Sequence, residues 1–107
     1  MIALHLLRLV HWARDVEGEN LELRYFRTRM GHEVDFLLLR NGKPWMAIEA
    51  KLAEQPLDAG LRYLLERVTV PYAFQVHLNG GRERRVVDVG KSQVRHVSAA
   101  RFLANVP

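Results

Sequence analysis

Cysteine is absent from this 107-residue sequence, which excludes disulfides and thiolate metal centres and suits a reducing compartment. Long apolar runs are missing too. The longest, such as residues 1–4 and 36–39, are far shorter than the ~20 apolar residues a membrane helix requires. The first residues carry no Arg/Lys-led hydrophobic segment and no small-residue cleavage site, so no secretion signal is visible. There is no internal repeat, no low-complexity tract and no linker rich in Pro, Gly or Ser. The expectation is one domain over residues 1–107, cytoplasmic, with no membrane contact.

Hydrophobic residues make up 49% of the chain and charged residues 26%, values that fit a folded domain rather than a disordered one. A chain of this length buries roughly 60–70% of its unfolded surface and can own a core. The formal charge is +4, and Arg supplies 13 of the 16 cations. Residues 1–54 balance at eight cations and eight acids, whereas residues 55–107 carry eight cations and four acids. Guanidinium pairs bidentately with phosphate oxygens, so the bias is compatible with nucleic acid. A solvated basic surface gives the same signature.

Ile2, Leu6, Leu9, Val10 and Ala13 share a stripe, so a helix is expected over residues 2–14, broken at Gly18-Glu19-Asn20. Residues 21–28 alternate, with Leu21, Leu23 and Tyr25 on one side, and read as a strand. Gly31 turns the chain into a second strand at 33–40, and Asn41-Gly42 into a third at 45–51. Pro56 and Asp58 introduce a helix whose Leu57, Leu61, Leu64, Leu65 and Val68 share a face, and Pro71 closes it. Residues 72–78 and 84–89 read as strands around an Asn79-Gly80-Gly81 turn. Residues 93–97 suggest a short strand, and Ser98 caps a last helix through about Ala104. The class is α/β, with a mixed sheet of four to five strands flanked by helices.

The second and third strands carry the chemistry. A two-residue Asn41-Gly42 loop pairs 40 with 43 and sends Asp35 and Glu49 to opposite faces. A three-residue loop over 40–42, with Gly42 in a left-handed bulge, pairs 39 with 43, so that 33 faces 49 and 35 faces 47. Glu33, Asp35, Glu49 and Lys51 then project from one side. Val34, Phe36, Leu38, Met46, Ile48 and Ala50 form a wholly apolar other side. The bulged register is expected, because it keeps the charged strand ends together.

Carboxylates held this close oppose one another's ionisation unless a cation sits among them. A hard divalent ion, Mg²⁺ or Mn²⁺, takes such oxygens: Asp35 and Glu49 could supply them, with the carbonyl of Ala50 beside them. Lys51 would serve as an electrostatic stabiliser or as a general base. The reaction such a site suits is metal-assisted hydrolysis of a phosphodiester.

Glu33-Val34-Asp35, followed after thirteen residues beginning with Phe36 by Glu49-Ala50-Lys51, resembles the PD-(D/E)xK signature of the restriction-endonuclease-like nucleases. The α-β-β-β-α-β order is similar to that superfamily's core. The longer run from Tyr25 through Arg27-Thr28-Arg29-Met30-Gly31-His32 to Asp35 resembles one branch. That branch is the C-terminal nuclease-like domain of a predicted bacterial and archaeal AAA-type ATPase family, and the resemblance covers roughly residues 4–104. It implies a restriction-endonuclease-like fold, Asp35 and Glu49 as metal-binding acids, and Lys51 as the catalytic lysine. It also implies DNA as substrate and an ATPase domain as partner, with this chain the C-terminal part of that architecture. The chain departs from the pattern in having Val34 in place of proline, no acid in residues 1–13, and no Gln four residues before Tyr63. It has no Walker motif, since Gly90-Lys91-Ser92 lacks the preceding glycine, so no ATP site is expected and a turn is.

Glu33 is a candidate for a supporting or second-metal role. Arg24, Arg27 and Arg29 are candidates for a nucleic-acid track, against the alternative of a wet strand face. His32 reads as a solvent-exposed turn residue. The other function to weigh is a catalytically inactive nuclease-like module that binds nucleic acid or a protein partner.

Overall fold

Alternating apolar residues and two glycine turns fold the middle of the chain into a meander. The computed structural model describes residues 20–79 and 85–104, and the expected helix at 2–14, Arg82 and Arg84 fall outside them. Three strands come first: β1 (Leu21–Arg27), β2 (Glu33–Arg40) and β3 (Lys43–Lys51). A helix, α1 (Ala59–Arg67), leads to β4 (Tyr72–His77), β5 (Arg85–Val89), β6 (Ser92–Ser98) and a short helix α2 (Ala99–Ala104). Among the described residues the sheet has six strands in the order β1-β2-β3-β4-β6-β5, one more than the upper expectation. The added order comes from residues 92–98, which pair with β4 on one side and β5 on the other rather than forming a marginal strand. The class is mixed α/β: β3, β4 and β6 run parallel and the outer pairs antiparallel. Among the described residues, no helix is long and apolar enough to cross a membrane.

The two sheet faces hold separate cores. Leu38, Ile48, Val76 and Val97 pack with Phe102 of α2 on one face, with Phe36, Met46 and Ala50 against them. Leu37, Ala47, Ala73 and Val94 pack with Leu61, Leu64 and Leu65 of α1 on the other. Helix α1 is an amphipathic crossover between parallel strands, with Asp58 as its N-cap accepting from the Leu61 N–H. Its second residue, Gly60, lies against β2 so closely that a Cβ there would meet the Glu33 carbonyl oxygen.

The β2–β3 register differs from the expected one. The loop is the two-residue one: Arg40 pairs with Lys43, and Asn41 (φ 53°) and Gly42 (φ 80°) both take the positive φ of a type I′ turn. The bulge sits further on, because Leu39 pairs with Pro44 but Leu38 with Met46, leaving Trp45 as the extra residue. Pro44 has no N–H to give the ladder, which favours an irregularity there. The shift leads to Phe36 opposite Ile48, and the next step brings Asp35 beside Glu49 rather than Ala47.

A second bulge lies in β2 itself. Arg24 pairs with Leu37 and Phe26 with Val34, so Asp35 and Phe36 together oppose the single Tyr25. Val34 is thereby turned to the α1 side, with Phe26, instead of joining Phe36 on the other face. Tyr25, expected on the apolar side, is 55% exposed.

His32 is not a free turn residue. Its ring stacks on Tyr63 of α1 at 4.1 Å, and the Arg67 guanidinium lies 3.5 Å from the centre of the same ring. Both cannot occupy one face at those distances, so Tyr63 is sandwiched and the β1–β2 turn is fastened to the helix.

Candidate active site

Beyond Phe36 and Ile48 the paired ladder between β2 and β3 ends, and side chains take over the bonding of the two backbones. The Asp35 N–H donates to Glu49 Oε1 at 2.9 Å, and the Ala50 N–H donates to Asp35 Oδ2 at 3.0 Å. Each carboxylate is thus oriented by main chain, through one of its oxygens. The bulge at Asp35 is what turns its side chain toward β3 instead of to a sheet face. This end of the sheet is also where the parallel strands β3 and β4 finish, a usual location for ligands in open α/β sheets.

Lys51 closes the group. Its Nζ stands 3.3 Å from Glu49 Oε2 and 2.6 Å from Asp58 Oδ1, and its side chain is only 22% exposed. Asp58 is held in turn: its other carboxylate oxygen caps α1, and its N–H donates to Gln75 Oε1 at 2.8 Å. Gln75, fully buried on β4, uses its Nε2 to donate to the carbonyls of Gln55 and Pro56.

The electrostatics follow from this crowding. Burial raises the Glu49 carboxyl above its ordinary value; the Asp35 and Asp58 charges add to that, while the Asp35 N–H and Lys51 oppose it. Burial alone would lower Lys51, but the Asp58 and Glu49 carboxylates outweigh it, and the ammonium is favoured. Tyr25 is raised by loss of hydration and then by a bond to Glu33, with the Asp35 charge contributing.

Asp35, Glu49, Ala50 and Lys51 therefore come together, whereas Glu33 does not join them. Its exposed carboxylate lies 3.5 Å from Arg27 Nε. Of the arginines, Arg24 is bonded to Glu22 at 2.6 Å, and Arg27 and Arg29 line a shallow depression with Thr28 and Gly31. Among the described residues, no group of three or more His, Cys, Asp or Glu side chains is placed to hold a metal. Two hard carboxylates remain, a set that suits Mg²⁺ or Mn²⁺ completing its shell with a carbonyl, water and phosphate oxygens.

Sequence reasoning missed Gln75, His77, His96 and Arg85, which extend the polar end along β4, β6 and β5. Gln75 pairs with Glu49, His77 with Lys51 and His96 with Gln75. Arg85 Nη2 lies 3.4 Å from His96 Nδ1 and its Nη1 3.2 Å from Glu54. Since Arg can only donate, the His96 proton belongs on Nε2; among the described residues neither that atom nor His77 Nε2, both buried, has a hydrogen-bond partner. The only local signal was Gln75 and His77 alternating on an apolar strand.

No curated protein and no solved structure matches the chain. Residues 1–96 match a family described as a domain of unknown function, DUF4143, and the chain belongs to that family.

Proposed function

We propose that this domain hydrolyses phosphodiester bonds in DNA with a divalent metal ion, through a PD-(D/E)xK-type site on a restriction-endonuclease-like fold. The observation that carries the reading is the meeting of Asp35, Glu49 and Lys51 at the divided end of β2 and β3, each acid oriented by a main-chain N–H. Asp35 and Glu49 would hold Mg²⁺ or Mn²⁺, with the Ala50 carbonyl as a further ligand. The ion, when bound, polarises a phosphoryl oxygen and lowers the pKa of a bound water. The raised pKa of Lys51 supports a charged ammonium that stabilises phosphate charge, rather than a general base. Arg24, Arg27 and Arg29 would contact backbone phosphates, and the domain would serve an ATPase in the cytoplasm.

A second reading has its own observation. One oxygen of each acid is committed to main chain, and Lys51 already compensates Glu49, so the group is stable as an internal lock. On that reading the domain binds nucleic acid or a protein partner without cutting.

The test is Mn²⁺- and Mg²⁺-dependent cleavage of single- and double-stranded DNA. Catalysis predicts that Lys51→Ala abolishes cutting while Mn²⁺ binding persists, and that Asp35→Ala removes both. If the wild-type chain cuts neither DNA in either metal while it remains folded, the binding module stands. In that case Arg27→Ala weakens DNA binding and lowers its salt slope.

A further inference from the structure

The Lys51 ammonium has two carboxylate neighbours, and they differ in kind. Glu49 spends Oε1 on the Asp35 N–H and offers Oε2 to Lys51 at 3.3 Å. A cation held by Glu49 through Oε2 would share or take over the oxygen that faces the lysine. Asp58 stands closer, at 2.6 Å, at the start of α1. It is also fixed from three sides. Its Oδ2 accepts from the Leu61 N–H at 3.0 Å, its N–H donates to Gln75, and Gln75 grips the carbonyls of Gln55 and Pro56. Its side chain is 16% exposed, so water competes weakly for the contact.

We propose that Asp58 is a positioning residue that holds the Lys51 ammonium over the site when Glu49 is engaged by a cation, with Gln75 setting the height of Asp58. The capping residue of α1 thus does two tasks with two oxygens: one starts the helix and the other fixes the lysine. The catalytic consequence rests on the nuclease reading; the placement of the ammonium does not.

Asp58→Asn and Asp58→Ser separate the two tasks, because Asn and Ser cap helices about as well as Asp but carry no charge. The first readout is the side-chain order of the lysines by NMR, in a chain whose 107 residues include only Lys43, Lys51 and Lys91. Lys51 is expected to be ordered in the wild type and as mobile as Lys43 in either variant, with melting temperature nearly unchanged. The second readout is Mn²⁺-dependent DNA cleavage, where kcat should fall on the order of 10²-fold with KM unchanged, as loss of placement predicts.

A wild-type Lys51 as mobile as Lys43, or one whose order survives Asp58→Asn, overturns the proposal. Lost order with unchanged kcat overturns the catalytic consequence, because Asp58 then holds an ammonium that cleavage does not use. If the wild-type chain cuts no DNA, the nuclease reading fails, and the lysine order alone decides whether Asp58 holds the ammonium.

Discussion

Glu49 is a residue that the fold holds against its own preference. Its carboxyl is raised by burial, so ionisation is less favourable in the folded chain than in the unfolded one. The folded state then binds the proton more tightly, and stability is highest below the ordinary value of 4.5 and falls as pH rises from there through the raised folded value. Glu49→Gln should therefore melt a few degrees above wild type at neutral pH, and the difference should vanish near pH 4. Scanning fluorimetry checks this, and the same variant should lose any Mn²⁺-dependent rise in melting temperature. That rise corresponds to about 2.7 kcal/mol at a hundredfold excess over Kd in the wild type. His96 has the opposite sign. Burial and the Arg85 charge lower its pKa, so the unfolded state takes the proton first. Stability should be full above the ordinary 6.5 and decline as pH falls below it, and His96→Gln should flatten that part of the curve in urea titrations at pH 5–8.

At the scale of elements, the placement of α1 depends on a contact that helix propensity would not foresee. Ala is a better helix former than Gly by about 1 kcal/mol, so Gly60→Ala would stabilise an isolated helix. Here a Cβ would run into the backbone of Glu33, and the substitution should cost about 1–3 kcal/mol by urea denaturation. The strands show how far local reading carries. Alternation and turn residues were enough to recognise β1 to β5, and Asp58 was recognisable as the start of α1. The bulges were not, because an extra residue exists only relative to a partner strand, and no neighbour of Trp45 or Asp35 in sequence supplies that partner. Asp35 and Glu49 meet through a different irregularity from the expected bulge at Gly42: the turn is regular and Trp45 carries the shift.

For the molecule as a whole, the parallel run β3-β4-β6 gathers residues from distant stretches at one end of the sheet. Asp35, Glu49 and Lys51 were legible because two adjacent strands bring them together. Asp58, Gln75, His96 and Arg85 were not, since their meeting depends on the crossover through α1 and on β6 entering between β4 and β5. The approach at Gly60 has an evolutionary corollary. Position 60 answers to the backbone of Glu33 and would remain glycine whatever ligand the domain takes, while Lys51 is needed only where its charge is used. The two positions can thus drift independently. A relative that has no use for the charge would discard the lysine and keep the glycine, and one that has lost the architecture would keep neither.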